Sequence, residues 1–202
     1  MSKRRKPSYI ASSGLAAEFI LLPGRTRGKQ VDLQIKTADA FAAHDLEGLW
    51  RVRRAARETA AFRRVLQLFV ERGGPIPVEE IVGGLPDVGP EATRQALVAL
   101  DADDLIRIQS GKVDVAYPFT ASSTPFVVRL HGGRERFACC AVDALGIAPM
   151  TGQSIEIRSR CHHCAEPLEL GATPEGARPE GSGIMLWIGQ RADDRCKIAD
   201  SL

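Results

Sequence analysis

The stretch Arg136–Gly152, RFACCAVDALGIAPMTG, places two adjacent cysteines, Cys139 and Cys140, just ahead of Asp143 in an otherwise apolar run. With Gly146 and Pro149 to close it, RFACCAVDALGI, residues 136–147, reads as a short helix. Cys140 and Asp143 then stand at i and i+3, and Cys139 and Asp143 at i and i+4, on adjacent turns of one face. Asp is a mediocre helix former and is rarely buried without a partner. It needs a reason to be here: capping a neighbouring loop, pairing with Arg136 or Arg158, or acting on a ligand. The segment alone leaves both a turn of core helix and a reactive site open.

Around this stretch the pattern is that of strands. PFVVRL precedes it and is followed by the turn HGGRE. QSIEIRS alternates polar and apolar residues and runs into Cys161, and PLELG and GIMLWIG are further strands separated by a Gly/Pro-rich loop. Toward the N-terminus the period becomes helical. Leu49, Val52 and Ala56 share a face between Leu46 and Glu71, and Phe62, Val65, Leu66 and Phe69 follow at helical spacing. A short helix is expected from Pro77 to Val82 and a third from Pro90, with Ala96, Leu97 and Leu100 inward. IRIQSGKVDVAYPF then reads as a hairpin about Ser110-Gly111. Three helices and a hairpin make the outline of a winged helix. The third helix carries Glu91, Asp101, Asp103 and Asp104 against Arg94 alone, a poor complement to phosphate, so no DNA contact is expected.

The reading is therefore an α+β protein in three parts: a basic, poorly structured arm over 1–40, a helical winged-helix-like module over 41–120, and a small, mostly antiparallel sheet unit with a short helix over 121–202. The 202 residues carry 44% hydrophobic and 26% charged residues and a net charge of +2, which gives no global drive toward nucleic acid. The apolar segment YIASSGLAAEFILLPG is interrupted by Glu18 and followed by basic residues, unlike an export signal. No run approaches the length needed to span a bilayer. A cytoplasmic protein without a membrane contact is expected.

The five cysteines are Cys139, Cys140, Cys161, Cys164 and Cys196, an odd number confined to the last third. That distribution is not a secreted disulfide framework and points to soft-metal or nucleophilic thiol chemistry. Cys161 and Cys164 form a CxxC enclosing His162 and His163. This is half of a structural zinc site, which takes four protein ligands. Cys161, at the end of an alternating strand, is expected to point into the core.

Phe137, Cys140, Ala141, Asp143, Leu145, Pro149 and Gly152, followed by Ser159, Cys161 and Pro167, form a set at fixed spacing that resembles the organomercurial (alkylmercury) lyase family. The resemblance runs from about Phe62 to Trp187 and is most specific between Phe137 and Pro167. It implies an enzyme that cleaves carbon–mercury bonds, with Cys140 as mercury-binding thiolate, Asp143 as proton donor, and a second thiolate supplied by Cys196 or by Cys139. Soft Hg(II) is captured by two thiolates, and a nearby acid protonates the metal-bound carbon. The resemblance also implies an organomercurial substrate, no required cofactor, and Hg(II) as bound product. That ion would be released to an external small thiol or a mercury reductase.

This sequence departs from the family pattern at Cys139, where an aromatic residue is usual, and at Cys164, where Thr is usual. Near the C-terminus Cys196 stands at a shifted spacing without the family's Phe pair, so a divergent member with a shortened C-terminus is expected. The alternative is a non-enzymatic protein binding a soft metal (zinc, copper or mercury) through Cys139, Cys140, Cys161 and Cys164. A metal-sensing DNA-binding regulator would rest on the winged-helix outline alone.

Overall fold

The computed structural model describes residues 18–22, 34–37, 59–179 and 183–189. Thr59 opens the helical part. Its hydroxyl accepts the Phe62 N–H at 3.3 Å and caps α1 (Ala60–Arg72). Residues 46–58 of the expected first helix lie outside the described residues. Phe62, Val65 and Phe69 are buried on one face of α1, as their spacing predicts. Gly74 follows, at a position where a Cβ would lie 2.6 Å from the Phe69 ring, so the chain turns tightly against its own helix.

Next come a short strand β3 (Ile76–Pro77), α2 (Val78–Gly83), and α3 (Pro90–Ala102) with Pro90 in its first turn. The hairpin pairs β4 (Ile106–Gln109) with β5 (Lys112–Ala116). Ser110 and Gly111 both take positive φ, 49° and 73°, which is the two-residue turn that matches strand twist. Arg107 and Asp114 face each other across this hairpin in a bidentate pair at 3.0 and 2.9 Å.

The sheet continues through β6 (Phe119–Thr120), β7 (Val127–Arg129), β8 (Glu135–Ala138), β9 (Ile155–Arg160), β10 (Pro167–Thr173) and β11 (Gly176–Ala177). Its order is β11-β10-β9-β7-β8-β6-β5-β3, with β4 also on β5, and every neighbouring pair is antiparallel. The fold class is α+β. Pairing of β5 with β6 and of β6 with β8 carries the sheet across residue 121 without a break. One core cluster joins Phe62, Phe69, Leu97 and Leu100 to Phe119, Val128, Ile147 and Ile157.

Two expectations are corrected here. RFA is not helix: Glu135–Ala138 is strand β8, because it finds partners on both sides, and helix α4 (Ala141–Thr151) starts only after Cys140. Gly146 and Pro149 do not close α4, which runs through both and ends at Gly152 in the left-handed conformation, φ 66°. Pro149, in the last turn, removes one backbone donor from α4 without stopping it.

The stretch 1–40, expected as a poorly structured arm, is described only over two short segments. These are β1 (Glu18–Leu22) and β2 (Gln34–Thr37), which with β12 (Leu186–Gly189) form a separate three-stranded sheet. β1 pairs antiparallel with β2 and parallel with β12. The apolar run FILL is thus a strand joined to the far end of the chain, a pairing that local composition does not reveal.

The ring of Phe119 stacks on Phe69 with centroids 6.3 Å apart and links α1 to the strand that abuts β8. Phe119→Ala is expected to cost about 3–5 kcal/mol, as for other buried Phe truncations. Urea unfolding of the full chain would show the loss as a lowered midpoint.

Candidate active site

The end of β8 is held from several directions. Ala138 N–H donates to Phe126 O at 2.9 Å, and the Thr124 hydroxyl donates to Ala138 O at 2.7 Å. Ala138 stands opposite Phe119 in the sheet register, and Cys139 N–H donates to Pro118 O at 3.0 Å. These contacts fix the point at which the chain leaves the sheet, and Cys140 is the next residue.

Cys140 is extended, with φ −148° and ψ 179°, and serves as the N-cap of α4. Its Sγ accepts the Asp143 N–H at 3.4 Å, as a Ser or Asp oxygen does at this position. The same sulfur is hydrogen-bonded to the Asp143 side chain, an arrangement in which S–H donates to the carboxylate. Sulfur and carboxyl group therefore touch within one helical turn, as the i, i+3 spacing suggests, even though Cys140 precedes the helix. Arg136 and Arg158 are engaged elsewhere. Arg136 donates to Phe69 O at 2.6 Å and Val70 O at 2.8 Å at the end of α1, and Arg158 pairs with Glu135.

Burial sets the state of the thiols. Desolvation pushes the Cys140 thiol up to about 12, assisted by the charge of Asp143 and its hydrogen bond, with the Asp143 and Val142 N–H groups opposing. Cys139 is deeper, at 5% exposure, packed against Val115 and Tyr117 of the hairpin side. Burial raises its pKa further, followed by Asp143 and Cys140, with Arg107 the opposing influence. Both groups are neutral thiols at pH 7. Capture of a thiophilic ion at Cys140 must therefore displace a proton, and Asp143 is the acceptor in contact.

The contribution of the hairpin was not visible in the sequence. Arg107, Val115 and Tyr117 lie far from Cys139 along the chain, and only the β5–β6–β8 pairing brings them there. Cys161 is also corrected: it is half-exposed rather than in the core. It shares strand parity with the buried Ile155 and Ile157, but lies beyond the part of β9 that the core covers. Cys164, His162 and His163 are exposed. Among the described residues no three His, Cys, Asp or Glu side chains gather as a metal-binding group, so the four cysteines of the alternative reading do not form one site. Cys196 lies outside the described residues.

Residues 119–202 match the family model described as MerB: Alkylmercury lyase. Over that span the chain is similar to the alkylmercury lyases. Similar curated proteins are the alkylmercury lyase of Staphylococcus epidermidis, 29% identical over 116 residues, and that of Bacillus cereus, 28% identical over 116 residues. Each alignment covers 56% of this chain and 50% of the relative, so the chain spans about half the length of the curated lyases it matches. Among solved structures, the mercury-bound form of MerB2 shares the fold with a TM-score of 0.52 and 18% identity, over 66% of this chain and 65% of that one.

The Cys140–Asp143 contact has a direct chemical signature. Because Asp143 raises the Cys140 pKa through its charge and its hydrogen bond, Asp143→Asn should lower it. The pH profile for iodoacetamide alkylation of Cys140, followed by peptide mass spectrometry, should move to lower pH. At fixed pH below the pKa, alkylation should quicken about tenfold for every pH unit by which the profile moves. An unchanged profile would mean that carboxyl and thiol do not interact.

Proposed function

We propose that the chain cleaves carbon–mercury bonds by protonolysis. The observation that carries this reading is the hydrogen-bonded Cys140–Asp143 pair at the start of α4, in a desolvated position. R–Hg⁺ bonds to the Cys140 sulfur as the thiol proton passes to the Asp143 carboxylate. A second thiol adds to mercury and loses its proton to solvent. Two sulfur donors enrich the metal-bound carbon in electron density, and Asp143 returns its proton to that carbon as the C–Hg bond breaks. The products are RH and Hg(II) held by two thiolates, with Asp143 again ionised. No other cofactor enters, and an external small thiol or a mercury reductase takes the ion away.

Cys196 is the second thiol in this proposal. The alternative, Cys139, is buried against Val115 and Tyr117, and it neighbours Cys140 on extended backbone, where consecutive side chains point to opposite sides. Near-linear S–Hg–S coordination by that pair would require the strand end to be rebuilt. The helical module over 41–120 acts as support for the catalytic unit over 121–202, and its hairpin packs against Cys139 without any DNA role. No helix among the described residues is long and apolar enough to cross a membrane. A cytoplasmic setting would supply the reducing thiols that the reaction needs.

The test is incubation of the purified chain with phenylmercury and excess thiol, with benzene measured in the headspace. Wild-type protein should release benzene catalytically and Cys140→Ser should release none above background. Cys196→Ser should lose turnover while Cys139→Ser retains most of it. If Cys139→Ser lost turnover and Cys196→Ser kept it, the adjacent pair would be the site.

A further inference from the structure

The loop joining β9 to β10 carries a feature that the carbon–mercury chemistry does not use. Cys161 N–H donates to Glu166 O at 2.8 Å, and Ala165 N–H donates back to Cys161 O at 2.8 Å. The loop is thereby closed on itself over Cys161–Glu166. Ala165 holds φ 59°, the left-handed region that costs an L-residue roughly 1–2 kcal/mol. The closed loop holds Cys161 and Cys164 three residues apart within one turn, and hydrogen bonding from Cys164 and His163 lowers the Cys161 pKa from its ordinary value. Cys164, His162 and His163 are exposed and Cys161 is half-exposed, so the pair is open to solvent.

We propose that Cys161 and Cys164 form a second site, on the surface, for a soft cation that accepts two thiolate ligands, the mercuric ion being the probe of choice. The donor count decides the class of ion. No third ligating side chain converges with them among the described residues, which does not suit the four-ligand shell of structural zinc. Two thiolates suffice for an ion that prefers linear sulfur coordination, and sulfur selects soft metals. Binding is a balanced ligand exchange without redox change: two S–Hg bonds to Cys161 and Cys164 form, the two bonds from mercury to glutathione break, and the displaced glutathione thiolates take up the two S–H protons.

The site differs from Cys140 in every physical respect. Cys140 is desolvated and hydrogen-bonded to a carboxylate, whereas Cys161 is half-exposed on a loop beside an exposed second thiol. An ion held here is exposed to exchange with thiols in solution, whereas an ion at Cys140 is shielded.

The experiment is titration of the full chain with mercuric chloride in excess glutathione, followed by native mass spectrometry. A Cys139→Ser, Cys140→Ser, Cys196→Ser chain, shown to be folded by circular dichroism, should keep one mercuric ion. That ion should protect both Cys161 and Cys164 from alkylation. Cys164→Ser in the otherwise wild-type chain should retain one ion fewer than wild type, an arm that decides the question even if the triple variant does not fold. Equal mercury content in wild type and Cys164→Ser, or a folded triple variant that retains none, would overturn the proposal. Neither arm reads benzene release, so its failure is separate from failure of the lyase reading.

Discussion

Ala138 is the residue on which the site depends. Its N–H and C=O are taken up by Phe126 and Thr124, its place in the register is opposite Phe119, and the next N–H is bound by Pro118. A strand held in this way cannot slide by one residue without turning every side chain to the other face. Here such a slip would exchange the positions of Cys139 and Cys140. The clamp thus determines which thiol is buried against the hairpin and which caps the helix beside Asp143.

Two consequences follow for the chemistry. The cap geometry brings a sulfur and a carboxyl group together without either being free to rotate far, because the Asp143 N–H and side chain both engage Cys140. Desolvation then keeps the thiol protonated, so in the proposed reaction the proton that cleaves the carbon–metal bond is stored at the site before substrate arrives. An exposed cysteine would be more ionised and would bind metal more readily, but it would have given its proton to water. The burial that makes Cys140 a poor free nucleophile suits it to a reaction that consumes a proton.

Much of this was legible in the sequence, and the failures have physical causes. The Ser110-Gly111 turn was readable because positive φ at two successive positions is a local demand that few residue pairs meet. The Cys140–Asp143 proximity was readable because a separation of three residues closes a turn whether the first residue is inside the helix or caps it. The start of α4 was misplaced because RFACCA is a short apolar run, which periodicity cannot assign to strand or helix. Its state is decided by β6 and β7, which are distant in sequence. The same holds for β1, whose partner β12 lies at the opposite end of the chain, and for the hairpin residues around Cys139. Cys161 had the right parity for the core, but parity does not say how far along a strand the covering layer extends.

The central claim is that Asp143 carries the proton from the Cys140 thiol to carbon. Rapid-quench single-turnover kinetics with phenylmercury on wild type and Asp143→Asn test it most directly, because mercury capture and benzene formation are read separately. Asn is nearly isosteric and still offers its backbone N–H to the cap, so the variant should take up phenylmercury stoichiometrically. Benzene formation should slow by about 10²–10⁴-fold, the usual contribution of a positioned general acid. Benzene formation by Asp143→Asn at a near wild-type rate would contradict the account and require another proton donor.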